Sequence, residues 1–280
     1  MARQVSAIAE AMFDAEIKHA FSDVSKGLRN TVRVKTGVIG STYKFPLMNN
    51  GMAHERVKYT DVTPMNVGYA QNTATLTDWT AAEYSDIFDN ATVKADEIKE
   101  LAVEVSNAIT RRLEQIIIDA QTGAGYVKAN TDISHGSAGL TIAKVLKAKK
   151  ALDKNGVPST ERFFVCGAAQ INDDLLATTQ VTSGDYNSVK ALVNGEINTF
   201  LGFTWKMIGD RNEGGLPLAS SVRTCIAYHK ASTGLAIGLE KSTSIDWIPE
   251  KRSWLAAADL KAGAVVIDPK GIILVKCQES

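Results

Sequence analysis

The chain is short of the residues that redox and metal chemistry need. Its 280 residues hold three cysteines, Cys166, Cys225 and Cys277, in the apolar contexts "FFVCG", "RTCIAYH" and "ILVKC". They form no C-x-x-C pair, and an odd, widely spaced set excludes a disulfide framework or a zinc ribbon and reads as buried, reduced thiols. The four histidines, His19, His54, His135 and His229, share no helical or hairpin spacing. Charge of one sign is not in excess either, since Lys+Arg and Asp+Glu both number 31. A chain built to neutralise phosphates regardless of sequence would be basic. No apolar run reaches membrane-spanning length. The opening "MARQVSAIAEAMFDAEIKHAF" puts Asp14, Glu16 and Lys18 where a signal peptide needs an unbroken apolar stretch, so the chain is expected to stay in the cytoplasm where it is made. No repeat or low-complexity segment is present.

Several near-motifs also fall short of the chemistry they suggest. His54-Glu55-Arg56-Val57-Lys58 is one residue from the zincin pattern H-E-x-x-H, in which two imidazoles one helical turn apart hold zinc and the glutamate activates its water. Lys58 stands where the second imidazole should be, and a protonated lysine cannot ligate a metal. "GLAIGLEKS" places Glu240 where a phosphate-binding loop needs glycine before its lysine, and a carboxylate there repels phosphate. "TGAGYVK" follows a helix rather than a strand, the wrong context for a dinucleotide fingerprint. The acidic pairs Asp173-Asp174 and Asp86/Asp89 have no nucleophile or base beside them. The residues therefore predict no catalytic group, no cofactor and no metal, with a hydrolase using His54 and Glu55 as the enzymatic alternative.

What is present is a composition for a sizeable core, 45% hydrophobic and 22% charged, arranged as mixed α and β elements. Val5, Ile8, Met12, Phe13, Ile17 and Phe21 are helically spaced. "TVRVKTGVIGSTYKFP" is extended, and Asn49-Asn50-Gly51 predicts a tight hairpin turn with long arms. "NTATLTDWT" alternates as a strand, with Ala74 and Leu76 on one face. A long helix over about 93–121 carries Ile98, Leu101, Val105, Ile109, Leu113, Ile116 and Ile117 on one stripe, with Gly123 as its stop. After Leu140 short helices and strands alternate. "TIAKVLKAKKALDKNG" is an amphipathic helix capped by Thr141, whose Lys144, Lys147, Lys149 and Lys150 read as its wet face. "AAQINDDLLATT" and "DYNSVKALVNG" read as helices, "RFFVCG", "FLGFTWKMIG" and "VRTCIAYH" as strands, and "AGAVVIDPKGIILVKC" as a hairpin turned at Asp268-Pro269-Lys270-Gly271.

This order of parts, with the phrases "RVKTGVIGSTYKFP", "HERVKYTDVTPMN", "TATLTDW", "ITRRLEQIIIDA", "DYNSVKALVNGEINTFLGF" and "IPEKRSWLAA", resembles the major capsid proteins of tailed bacteriophages over nearly the whole chain. The resemblance implies the α+β Hong Kong 97-type fold: an N-terminal arm at 1–35, an extended E-loop at 36–70, a P-domain at 71–138 and 251–280 with the long helix as its spine, and an A-domain at 139–250. It implies a structural subunit, not an enzyme, that self-assembles as hexamers and pentamers into the icosahedral shell around a double-stranded DNA genome. The implied partners are further copies of the chain, a portal, a separate scaffolding protein and, in some shells, a decoration protein, with no membrane. The implied location is the virion, after assembly in the cytoplasm of the host bacterium. Encapsulins share the fold, so a cargo-loading shell is the alternative within it. A structureless excursion of more than about fifteen residues is uncommon in a compact monomer. The resemblance supplies its support, a neighbouring subunit, with Glu55, Arg56, Lys58 and Asp61 as the expected inter-subunit contacts. Lys44 and Lys58 are available for the cross-link known in the fold's namesake, but no asparagine and glutamate partners can be placed, so no cross-link is expected.

Overall fold

The computed structural model describes residues 27–87, 97–175, 199–211 and 213–279. The helix expected in the N-terminal arm, the one expected at "DYNSVKALVNG" and the first turn of the long helix lie outside these residues.

The aliphatic stripe builds helix α1 (Glu97–Thr122), 26 residues and about 40 Å long at 1.5 Å per residue. Val105, Ile109, Ile117 and Ile118 are buried on it, and Leu113 and Ile116 pack beside them. They lie against a four-stranded sheet of order β1-β10-β11-β4, made of Arg33–Lys35, Thr233–Ile248, Ser253–Val266 and Thr77–Asp86. Along β11 the buried positions alternate as Ala256, Ala258, Leu260 and Ala262. These small side chains let the helix backbone approach the sheet. Gly123 closes the helix while its N–H still donates to Asp119 O at 2.8 Å, and its φ is not positive.

A second layer is the mixed sheet β12-β9-β5-β7-β6, from Ile272–Gln278, Val222–His229, Arg162–Gly167, Phe203–Ile208 and Thr199–Phe200, with the short β8 (Leu218–Ala219) beside β9. Helix α2 (Ile142–Lys154) covers it with Val145, Ala148 and Leu152. Thr141 caps α2 as expected, accepting from Lys144 N at 3.4 Å, and Gly156 leaves it at φ +70. Of "AAQINDDLLATT" residues 168–175 are described, and Gln170–Leu175 among them form a short π-helical turn.

Two local readings need correction. The expected hairpin at Asp268–Gly271 is a crossover: Asp268 accepts from Lys270 N at 2.9 Å in a 3-10 turn, and the chain passes from β11 in the long sheet to β12 beside β9 in the other. Turn residues specify a local reversal but not which strand the next segment pairs with. Consequently β10, inside the expected 139–250 block, lies on α1, while β12, inside the expected 251–280 block, completes the second sheet. Lys144 is buried, not on the wet face, because its ammonium donates to Ala138 O and Gly139 O at 2.7 Å and to Lys276 O at 3.2 Å. Those carbonyls offset the cost of burying the charge.

The scattered cysteines converge. Cys166, Cys225 and Cys277 sit on three adjacent strands in one core and are free thiols. Burial pushes the Cys166 thiol well above its ordinary range, so it stays protonated and inert. At the end of β12, Glu279 takes Arg223 Nε at 2.6 Å, Arg223 Nη2 at 3.0 Å and Gln170 Nε2 at 2.8 Å. The Arg223 bond, with help from Gln170 and the guanidinium charge, holds the Glu279 carboxyl below its ordinary value against the opposing effect of burial. A depressed folded-state pKa contributes stability above the unfolded pKa, and that stability is lost as pH falls through the folded one. Glu279→Gln is therefore expected to be less stable than the parent at neutral pH and to converge on it in acid, as read by urea midpoints across that range.

Candidate assembly surface

Strands β2 (Thr42–Met48) and β3 (Tyr69–Thr75) form a separate two-stranded ladder, from Thr42↔Thr75 to Met48↔Tyr69. Its root is well anchored. Phe45 is buried with Ala74, Leu76, Ala236 and Ile267, its ring edge-on to Tyr43 with centroids 4.8 Å apart. Gly234 makes room for it, since a Cβ there would stand 2.7 Å from the ring. Asn72 Nδ2 donates to Val266 O at 3.0 Å and Ile267 O at 2.7 Å, tying β3 to the end of β11.

Beyond that root the arm is bare. Asn49 N bonds Gly68 O at 3.0 Å, and the only backbone–backbone bond within 50–67 is Thr60 N to Val57 O at 3.4 Å, in a turn where Tyr59 adopts φ 68. The chain therefore reverses at Val57–Thr60 and not at Asn50-Gly51, where φ stays out of the left-handed region. Gly51 instead serves close approach, since a Cβ there would stand 2.9 Å from Val67 Cγ2 and 3.0 Å from Met65 Sδ. Asn-Gly permits a tight turn but does not impose one when seventeen further residues must pass before the returning strand. Met52, Val57, Tyr59 and Val62 are exposed, Tyr59 completely. Glu55, Arg56, Lys58 and Asp61 are exposed too, and none of them meets a partner in the described chain. His54 stands among them, and no group of three or more potential metal-ligating side chains occurs among the described residues.

A family model for phage capsid protein matches residues 5–279. The chain belongs to the phage capsid protein family. Among solved structures, the capsid of Cyanophage P-SCSP1u superposes with a TM-score of 0.71 at 16% identity, covering 96% of this chain and 92% of that one. The capsid of Helicobacter pylori bacteriophage KHP30 gives 0.73 at 12%, covering 95% and 94%. The capsid of a native GTA particle gives 0.65 at 15%, covering 98% and 99%. No curated protein matches the sequence. The fold is the expected α+β, Hong Kong 97-type capsid fold, and the protein is a major capsid subunit, structural and not enzymatic, that self-assembles into the capsid lattice of the virion.

The capsid subunit has internal ties that sequence patterning missed. Glu114, 2% exposed, pairs with Arg211 Nη2 at 2.6 Å and accepts from Leu28 N at 3.4 Å. Next to it Gln115 Oε1 accepts from Gly214 N at 2.7 Å, and Arg112 stacks over Trp79 at 3.5 Å while reaching Glu213 at 3.5 Å. Three near-consecutive residues of α1 thus grip the loop between β7 and β8 of the second sheet. The available signal was Glu114 itself, a carboxylate flanked by Leu113 and Ile117 in the most apolar stretch of the helix. Its partner is 97 residues away, beyond any local pattern.

Proposed function

We propose that each subunit is held in the shell by laying the arm between β2 and β3 over its neighbour, with Glu55, Arg56, Lys58 and Asp61 pairing across the boundary. The observation that carries this reading is a rooted arm with a bare tip, whose exposed apolar and charged residues find nothing to lie on among the described residues of their own chain. Exposed pairs contribute only about 0.2–1 kcal/mol each, so they act through repetition around the lattice. In the terms of the fold, residues 1–35 are the N-terminal arm and 36–70 the E-loop. The 71–138 segment with β10 and β11 forms the P-domain, and the rest of 139–250 with β12 the A-domain. Hexamers and pentamers assemble in the host bacterial cytoplasm with a portal and a scaffolding protein, and a decoration protein is a further candidate partner.

Deleting Asn49–Glu55 is expected to leave a subunit that unfolds cooperatively in urea, because the core lies outside the arm, yet yields no closed particles by electron microscopy. Normal particles from the deletion would remove the basis for this role of the E-loop.

A further inference from the structure

We infer that Asn50-Gly51 is a self-modifying site: in the unassembled subunit the side-chain amide of Asn50 is lost through a cyclic imide, leaving aspartate or isoaspartate at the base of the bare tip. The chemistry stands on the free chain alone, and only its bearing on assembly rests on the E-loop reading above.

The step is an attack by the backbone nitrogen of Gly51 on Asn50 Cγ. The N–Cγ bond forms, the Cγ–Nδ2 bond breaks, and Nδ2 leaves as ammonia, taking up the amide proton of Gly51. Water then adds across one of the two imide C–N bonds, which restores either the original backbone as aspartate or a backbone routed through the side chain as isoaspartate. Neither oxidant nor catalyst is needed. The rate depends on an unhindered nitrogen, which a residue without Cβ provides, and on a backbone free to reach the attack geometry.

The sequence has three Asn-Gly steps, at Asn50, Asn155 and Asn194, the last outside the described residues. The other two contrast. Asn155 ends helix α2 with its Nδ2 donating to Asn130 Oδ1 at 2.7 Å and to Lys270 O at 3.0 Å, while Gly156 N donates to Asp153 O at 3.0 Å. Leaving group and nucleophile are both tied there, on a backbone that the helix end fixes. Asn50 stands just past the last ladder pair, Met48↔Tyr69, and the bond from Asn49 N to Gly68 O. Asn50 and Gly51 are both exposed, and neither makes a hydrogen bond among the described residues. The nearest side chains to Gly51, Val67 and Met65, offer its N–H no oxygen or nitrogen. Backbone without such ties samples many conformations, the attacking one among them.

The product bears on assembly because Glu55 and Asp61 balance Arg56 and Lys58 in the arm. A new anion tips that balance in every modified copy, and isoaspartate shifts the path of all residues beyond it.

Mass spectrometry of the unassembled subunit, aged at mildly alkaline pH, tests the chemistry. Trypsin releases Phe45–Arg56 and Asn155–Arg162, one Asn-Gly step in each. The exchange of NH2 for OH is expected at Asn50, located by fragment ions, at a rate within a few-fold of that in the urea-unfolded chain, and with isoaspartate as part of the product. At Asn155 the same change is expected to be slowed many-fold relative to urea. Asn50→Gln, whose longer side chain closes the ring far more slowly, is expected to abolish the mass change in the first peptide. A native Asn50 protected as strongly as Asn155, or a mass change that persists in Asn50→Gln, would overturn the site. Particle yield tests the consequence: Asn50→Asp, which carries the charge from synthesis, is expected to assemble several-fold less than Asn50→Gln. Equal yields would overturn the bearing on assembly and leave the mass change to decide the chemistry. If the Asn49–Glu55 deletion still assembles, the E-loop reading itself has failed.

Discussion

Ile109→Asp is expected to leave the subunit insoluble or unfolded, whereas Glu104→Ala, little more than one helical turn away, is expected to be nearly silent for folding. Ile109 is 3% exposed in the core cluster shared with Val105, Ile117, Leu260 and Ala258. A carboxylate there loses its water without gaining a partner, which costs several kcal/mol or forces it to take up a proton. Typical domains have only about 5–15 kcal/mol of stability to lose. Glu104 pairs with Arg111 Nη2 at 2.7 Å, but its side chain is 44% exposed, so its loss costs at most about 1 kcal/mol. Soluble yield and urea midpoints of the two variants check the contrast, and equal behaviour would show that the stripe does not carry the packing of the spine helix.

Arg211→Ala is expected to destabilise the subunit by about 3–5 kcal/mol, as breaking a buried ion pair strands the remaining charge. Glu114 and Arg211 have side chains 2% and 9% exposed at 2.6 Å, so the stranded carboxylate would have little access to water. Removing both charges together, Glu114→Leu with Arg211→Leu, is expected to recover a substantial part of that loss, because the desolvation cost of the pair disappears along with its attraction. Denaturation of the two variants against the parent measures this. A double variant no better than Arg211→Ala alone would mean that the pair holds the 211–214 loop mainly by shape. The pair also couples the two layers, so Arg211→Ala should loosen the loop before β8, seen as faster hydrogen exchange at Gly214 and Gly215.

Features that depend on local periodicity and chain punctuation were legible in the residues. The stripe from Leu101 to Ile117, the Thr141 cap, the Gly156 stop and the strand patterns of "RFFVCG" and "VRTCIAYH" each express a preference settled within one or two turns or pleats. Their order along the chain, with the phrases around Arg56 and Arg111, carried the family resemblance. The bare arm was also legible, since the residues from Asn49 to Gly68 have too little apolar content to bury themselves.

Tertiary structure decided what depends on partners far apart in sequence. Asp268–Gly271 has the chemistry of a hairpin turn, yet β12 pairs with β9 because its alternating Ile273, Val275 and Cys277 complete the core under α2. Lys144 has the sequence spacing of a solvated residue and is buried because carbonyls of 138, 139 and 276 converge on it. Three cysteines tens of residues apart share one core because strand order, not spacing, sets their neighbours. Glu114 found Arg211 for the same reason: the sequence by itself determines which segments are helix or strand and which faces are apolar, whereas the pairing of those faces is settled by closing long loops around a common core, a free-energy balance to which no single stretch of residues has access.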